Sequence, residues 1–305
     1  MEKENPVTLL GINMVFMITA VLLITLGYYF QVKNIYTGLI ITEFLIIPVP
    51  ALIYTAWKGM DVRETFRLRG ISINTLWKCV LITLCAYPVG LFLNLLGNLF
   101  LGMLGELIPV PVPVAESGRE YLINLLVVAL VAGVAEEFFF RGFILTGYEG
   151  LGERNAVIIS ALLFGMFHFN IQNFLGPVFL GLVFGFLALR TGSVVASAAG
   201  HFVNNALSVT FMFVAGMVSK TLPQGYEGQE ASWPSAVGLI PWGAMALAGG
   251  VAALRLYKGL ERQDRKTDTS AATPSFGDFI PVAVTVIIFI VFCVSELLVI
   301  INGAG

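Results

Sequence analysis

Long apolar runs alternate with short polar connectors along the whole chain. Crossing the hydrocarbon core of a bilayer takes about 20 mostly apolar residues, and about nine stretches of that kind can be drawn. They fall near residues 7–30, 36–56, 76–101, 121–147, 155–172, 174–190, 193–217, 236–257 and 279–301. The fifth and sixth are short and closely linked, so eight spans is the alternative count. In lipid a backbone must satisfy its own polar groups, which favours helices for runs of this length. The pattern therefore predicts an all-α, polytopic transmembrane helical bundle. Three sections are expected: N-terminal spans with a basic connector at 1–120, a helical core at 121–217, and C-terminal spans with a second basic connector at 218–305.

Composition narrows the class further. Of 305 residues, 57% are hydrophobic and 12% are charged, against about 25% charged in a soluble domain. Most basic residues sit in the connectors at 57–75 and 255–275. Under the positive-inside rule both belong in the cytoplasm. With nine spans this puts the N-terminus inside and leaves only Lys33, Arg119 and Lys220 outside. The first apolar run lacks a small-residue cleavage site and reads as a retained span. Cys79, Cys85 and Cys293 all fall in apolar segments, which argues against a disulfide framework or a thiolate metal site. The partner that composition implies is the lipid bilayer; a net charge of −2 gives no reason to expect nucleic acid.

Against this apolar background the hexapeptide Glu136-Glu137-Phe138-Phe139-Phe140-Arg141 stands out. One charged side chain at mid-membrane costs roughly 2.5–3.5 kcal/mol on insertion scales, so such residues have partners or a function. Glu137 and Arg141 are four apart and share a helix face. Glu136 is rotated about 100° away and is free to face a cavity. Both histidines of the chain, His168 and His201, also lie in predicted spans, and Asn205 shares a face with His201. Counted from the inner ends of their spans, Glu136, His168 and His201 lie roughly 12–20 Å deep at 1.5 Å per residue. These residue types suit water attack on a carbonyl. A carboxylate in a dry pocket serves as general base, histidine holds the water, and a second histidine with an amide stabilises the oxyanion. Glu136, His168 and His201 are also zinc-ligand types, and spacing alone leaves that open.

Three motifs occur in order: Glu-Glu-x-x-x-Arg (Glu136, Glu137, Arg141), Phe-x-x-x-His (Phe164, His168) and His-x-x-x-Asn (His201, Asn205). Together they resemble the CPBP-family intramembrane endopeptidases related to type II CAAX prenyl proteases, over roughly residues 121–217. The resemblance implies that Glu136 activates water with His168, that His201 and Asn205 stabilise the oxyanion, and that Glu137 and Arg141, with Phe164, support them. It implies a lipidated or membrane-embedded peptide substrate and a multi-pass protein of a prokaryotic plasma membrane. No cofactor is favoured, with a zinc mechanism as the alternative; a non-catalytic immunity or transport role is the other competing class. Neither the sequence nor the resemblance fixes an oligomeric state.

Some polar features fall outside these motifs. Glu43 is expected to pair with Asn94 or Asn98, or else to line the cavity. Glu296 is expected to reach the interface. The connector around Val62–Leu68 reads as a basic surface loop, and the run Ile108–Pro113 as a stiff spacer.

Overall fold

Polar caps start most of the helices. The side chains of Thr8, Asn34, Ser72, Ser117 and Ser193 accept hydrogen bonds from backbone N–H groups in the first turns of the helices they precede, and Ser275 with Asp278 forms a capping box. These residues satisfy donors that a helix leaves unpaired at its N-terminus. The computed structural model describes residues 8–109, 113–220, 237–263 and 274–303. It is 82% helical, with no strand among the described residues. Residues 110–112 of the proline-rich run and 264–273 of the second basic connector lie outside the described residues.

Seven helices are long and apolar enough to cross a membrane: α1 (Leu9–Lys33), α2 (Ile35–Trp57), α3 (Ile73–Gly102), α4 (Gly118–Leu151), α7 (Val194–Ser219), α8 (Leu239–Lys258) and α9 (Phe276–Asn302). The fifth and sixth predicted spans are shorter helices, α5 (Glu153–Met166) and α6 (Leu175–Thr191). The expectation of one span over 155–172 is corrected here. At 14 residues α5 reaches only about 21 Å, short of a hydrocarbon core of about 30 Å. The chain then turns back through residues 167–174. Side chains from elsewhere satisfy the backbone of this turn and the segment beside it. Glu296 accepts from the Ile171 N–H at 2.7 Å, and Gln172 bonds both backbone groups of Ile108. Asn94 donates to Asn173 at 2.7 Å and accepts from the Gly176 N–H at 2.6 Å. Non-helical backbone inside a bundle needs such partners. Glu296, expected to reach the interface, thus caps this turn, and the amide of Asn94 is engaged with Asn173 and Gly176 rather than with Glu43.

The connector at 58–72 departs from a surface loop. Its single helical turn, Val62–Thr65, delivers Phe66 and Arg67 into the bundle, where they are 0% and 1% exposed. Phe66 stacks on Phe138 of α4 with ring centroids 3.8 Å apart. Arg67, at φ +53°, donates through Nε to the Arg141 carbonyl at 2.9 Å and pairs with Glu149 at 2.7 Å. Both basic connectors meet the turn between α6 and α7. Ser193 and Val194 donate to the carbonyls of Arg69 and Arg67, while Arg190 exchanges hydrogen bonds with Leu260 and Gln263. The two connectors thus lie at one end of the bundle. The main apolar core is aromatic and centred on Phe16, Phe139, Phe140, Phe143, Phe164 and Phe167, directly beside the polar hexapeptide.

Candidate active site

The site is assembled from α4, the end of α5 and α7. In α4 two wide π-helical stretches, Leu125–Val131 and Phe138–Ile144, flank the α-helical segment Ala132–Glu137; such irregularities are frequent at functional sites. Gly133 lets α7 approach closely. A Cβ there would stand 3.0 Å from the Phe202 backbone nitrogen. That approach brings His201 within reach of both glutamates.

Glu137 and Arg141 form the expected i,i+4 pair. Nη1 of Arg141 lies 2.7 Å from Oε1 of Glu137, with both side chains fully buried. The guanidinium also donates through Nη2 to the Gly181 carbonyl at 3.2 Å and lies over the Phe164 ring, 4.4 Å from its centroid. The same Glu137 Oε1 holds Nδ1 of His201 at 3.0 Å. That leaves Nε2 of His201 pointing at Glu136, 3.7 Å from its Oε2. Phe184 stacks on the His201 ring at 5.1 Å and Phe164 meets it edge-on at 5.7 Å, so the ring plane is fixed from two sides. Glu136 differs from its neighbour. Its buried Oε2 has no hydrogen-bond partner.

His168 follows the last turn of α5. Its Nδ1 lies 3.0 Å from the Phe164 carbonyl oxygen. A carbonyl only accepts, so Nδ1 carries a proton and Nε2 is the nitrogen left for another partner. Asn205 donates to the Val128 carbonyl and accepts from Asn204, both at 3.1 Å. Ser193 and Ser197, which share the His201 face in sequence, bond backbone groups instead: Ser193 donates to the Arg69 carbonyl and accepts from the Val195 N–H, and Ser197 donates to the Val194 carbonyl.

Two cavities border these residues. The larger, about 560 Å³, is lined by Glu136 and His168 together with Tyr28, Gln31, Glu43 and Phe292 from α1, α2 and α9. The smaller, about 200 Å³, is lined by His168, His201, Asn204 and Asn205, among others. His168 borders both. The arrangement therefore places a carboxylate and a ring nitrogen on one wall, with amide and imidazole groups behind them. It has the parts for moving a proton from water and for receiving negative charge on oxygen. Among the described residues no three histidine, cysteine or carboxylate side chains are gathered as a metal-holding group, so Glu136, His168 and His201 do not form a ready zinc cradle.

Motif spacing missed one lining residue, Asn204, which lies beside Asn205 on the smaller cavity and whose only signal is the asparagine pair itself. Glu43, left by the sequence either paired with Asn94 or Asn98 or lining the cavity, faces the larger cavity from α2.

No curated protein and no solved structure matches the chain. Residues 118–207 match the family model described as type II CAAX prenyl endopeptidase Rce1-like, a segment that contains Glu136, Glu137, Arg141, Phe164, His168, His201 and Asn205. The match spans under a third of the chain, and over that segment this integral membrane protein is similar to the type II CAAX prenyl endopeptidases.

Proposed function

We propose that the chain hydrolyses a peptide bond of a prenylated or otherwise membrane-embedded peptide, using water activated by Glu136 and His168. The observation that carries this reading is the pairing of a buried, unpartnered Glu136 carboxylate oxygen with His168 on one cavity wall. In this mechanism Glu136 takes a proton from water as the oxygen adds to the carbonyl carbon. His168 accepts the water's other hydrogen bond through Nε2 and orients it. The oxyanion that forms is stabilised by His201 and Asn205, whose positions Glu137, Arg141 and Phe164 maintain. In this reading the section expected at 121–217 carries the water-activating and oxyanion groups, and residues of the sections 1–120 and 218–305 add to the cavity wall. Leu23, Glu43 and Phe292 on the cavity wall support that division.

The mechanism is written without a metal ion. The protein is read as multi-pass in a prokaryotic plasma membrane, with its N-terminus and both basic connectors on the cytoplasmic side.

The test is cleavage of a farnesylated C-a-a-X peptide and a set of membrane peptides by detergent-purified protein. Wild type is expected to cut, chelators to leave the rate unchanged, and Glu136→Ala, His168→Ala and His201→Ala to be severely impaired. A wild type that cuts nothing, or a Glu136→Ala variant that cuts equally well, sinks the reading.

A further inference from the structure

Glu43 belongs to none of the motifs, yet it sits on the wall of the same cavity as Glu136 and His168. It lies in a π-helical turn, Thr42–Ile46, where the Ile47 N–H reaches back to the Thr42 carbonyl at 3.0 Å. Pro48, which has no N–H to give, follows directly. This wide turn packs against the Ala132–Glu137 segment of α4. Glu43 is 4% exposed, and its Oε2 is buried without a hydrogen-bond partner. Among the described residues no lysine or arginine lines the cavity, and the other titratable groups on its wall are Glu136, His168 and Tyr28. A carboxylate this deep has to earn its place through function. Two carboxyl groups that face one cavity from different helices can divide acid and base work between them.

We propose that Glu43 is the general acid of this active site, the second carboxyl group, which delivers a proton to the leaving nitrogen. The role rests on the peptidase reading above. The step balances without another reactant. Water gives one proton to the Glu136 carboxylate, and its oxygen bonds to the carbonyl carbon. As the carbon–nitrogen bond breaks, its electron pair stays on nitrogen, which takes the proton of Glu43. The proton now on Glu136 restores Glu43. The new carboxylic acid sheds the second water proton, which completes the product ammonium. Both carboxyl groups end as they began, and the products are one carboxylate and one ammonium.

A pair of substrates isolates this role. One is the peptide that wild type cuts; the other carries the same acyl portion on a 4-nitrophenyl ester, whose phenolate leaves without a proton. Glu43→Gln is expected to lower kcat on the peptide about 100-fold while hydrolysing the ester near the wild-type rate. Glu43→Asp, which keeps the acid, is expected to recover part of the peptide rate, whereas Glu136→Gln is expected to lose both substrates. Thermal unfolding in detergent shows whether each variant is folded. A Glu43→Gln protein that cuts the peptide at the wild-type rate overturns the proposal. So does one that loses ester and peptide equally, because that is the mark of a structural role. If wild type cuts neither substrate, or Glu136→Gln cuts both, the peptidase reading itself fails.

Discussion

Glu136 and Glu137 are neighbours in the chain with opposite surroundings. One oxygen of Glu137 is bound twice, by Arg141 at 2.7 Å and His201 at 3.0 Å, inside a fully buried pair. Glu136 has a buried oxygen with no hydrogen-bond partner and a side chain that borders a cavity of about 560 Å³. A rotation of about 100° along one helix separates the two conditions. The same residue type is thus held in a buried pair on one face and borders a cavity on the other. Neither role could be exchanged for the other without rebuilding the partners around it.

The largest expected effect comes from neutralising the free face. Glu136→Gln keeps shape and volume and is expected to cut kcat about 10³-fold, with the unfolding temperature in detergent unchanged. An equal fall in stability would erase the contrast between the two glutamates. Next comes the anchored face. Arg141→Ala leaves Glu137 buried with no cation, and breaking a buried pair costs about 3–5 kcal/mol. Folded yield and the unfolding midpoint are expected to drop together; unchanged stability would show that Glu137 does not depend on arginine. Asn205→Ala sharpens the picture at the smaller cavity. It is expected to lower kcat about 100-fold with little change in KM, as for loss of one oxyanion donor. The smallest effect lies at the far end of α4. Ser117→Ala removes a cap that accepts from the Glu120 N–H at 3.2 Å, and is expected to cost about 1 kcal/mol while leaving kcat intact.

The parts of the molecule that were legible in the sequence share one property: their partners are close in sequence or in register. Glu137 and Arg141 are one helical turn apart, so their pairing follows from geometry. The helices follow from runs of apolar residues, and the two basic connectors share an end of the bundle as the positive-inside rule requires. What stayed hidden depends on distant partners. A hydropathy window carries the fifth span past Met166, although His168, Asn170, Gln172 and Asn173 mark a turn. Asn94, Ile108 and Glu296, far along the chain, complete the partners of that turn inside the bundle. Arg67 looks like one more surface cation until Glu149 and the Arg141 carbonyl are brought beside it. Glu43 shares a cavity with Glu136 across 93 positions of sequence, and no periodicity links them.

The connector that carries Phe66 and Arg67 has a practical meaning for anyone who handles this protein. Phe66 stacks on Phe138, and Arg67 grips the backbone of Arg141, so the segment is wedged under the helix that bears both glutamates. Loops between membrane helices are the usual places to splice in a reporter, an affinity tag or a fusion partner. Between residues 62 and 69 such an insertion would be felt at Phe138 and Arg141, one and four residues beyond Glu137, and would disturb the helix rather than merely misplace a label.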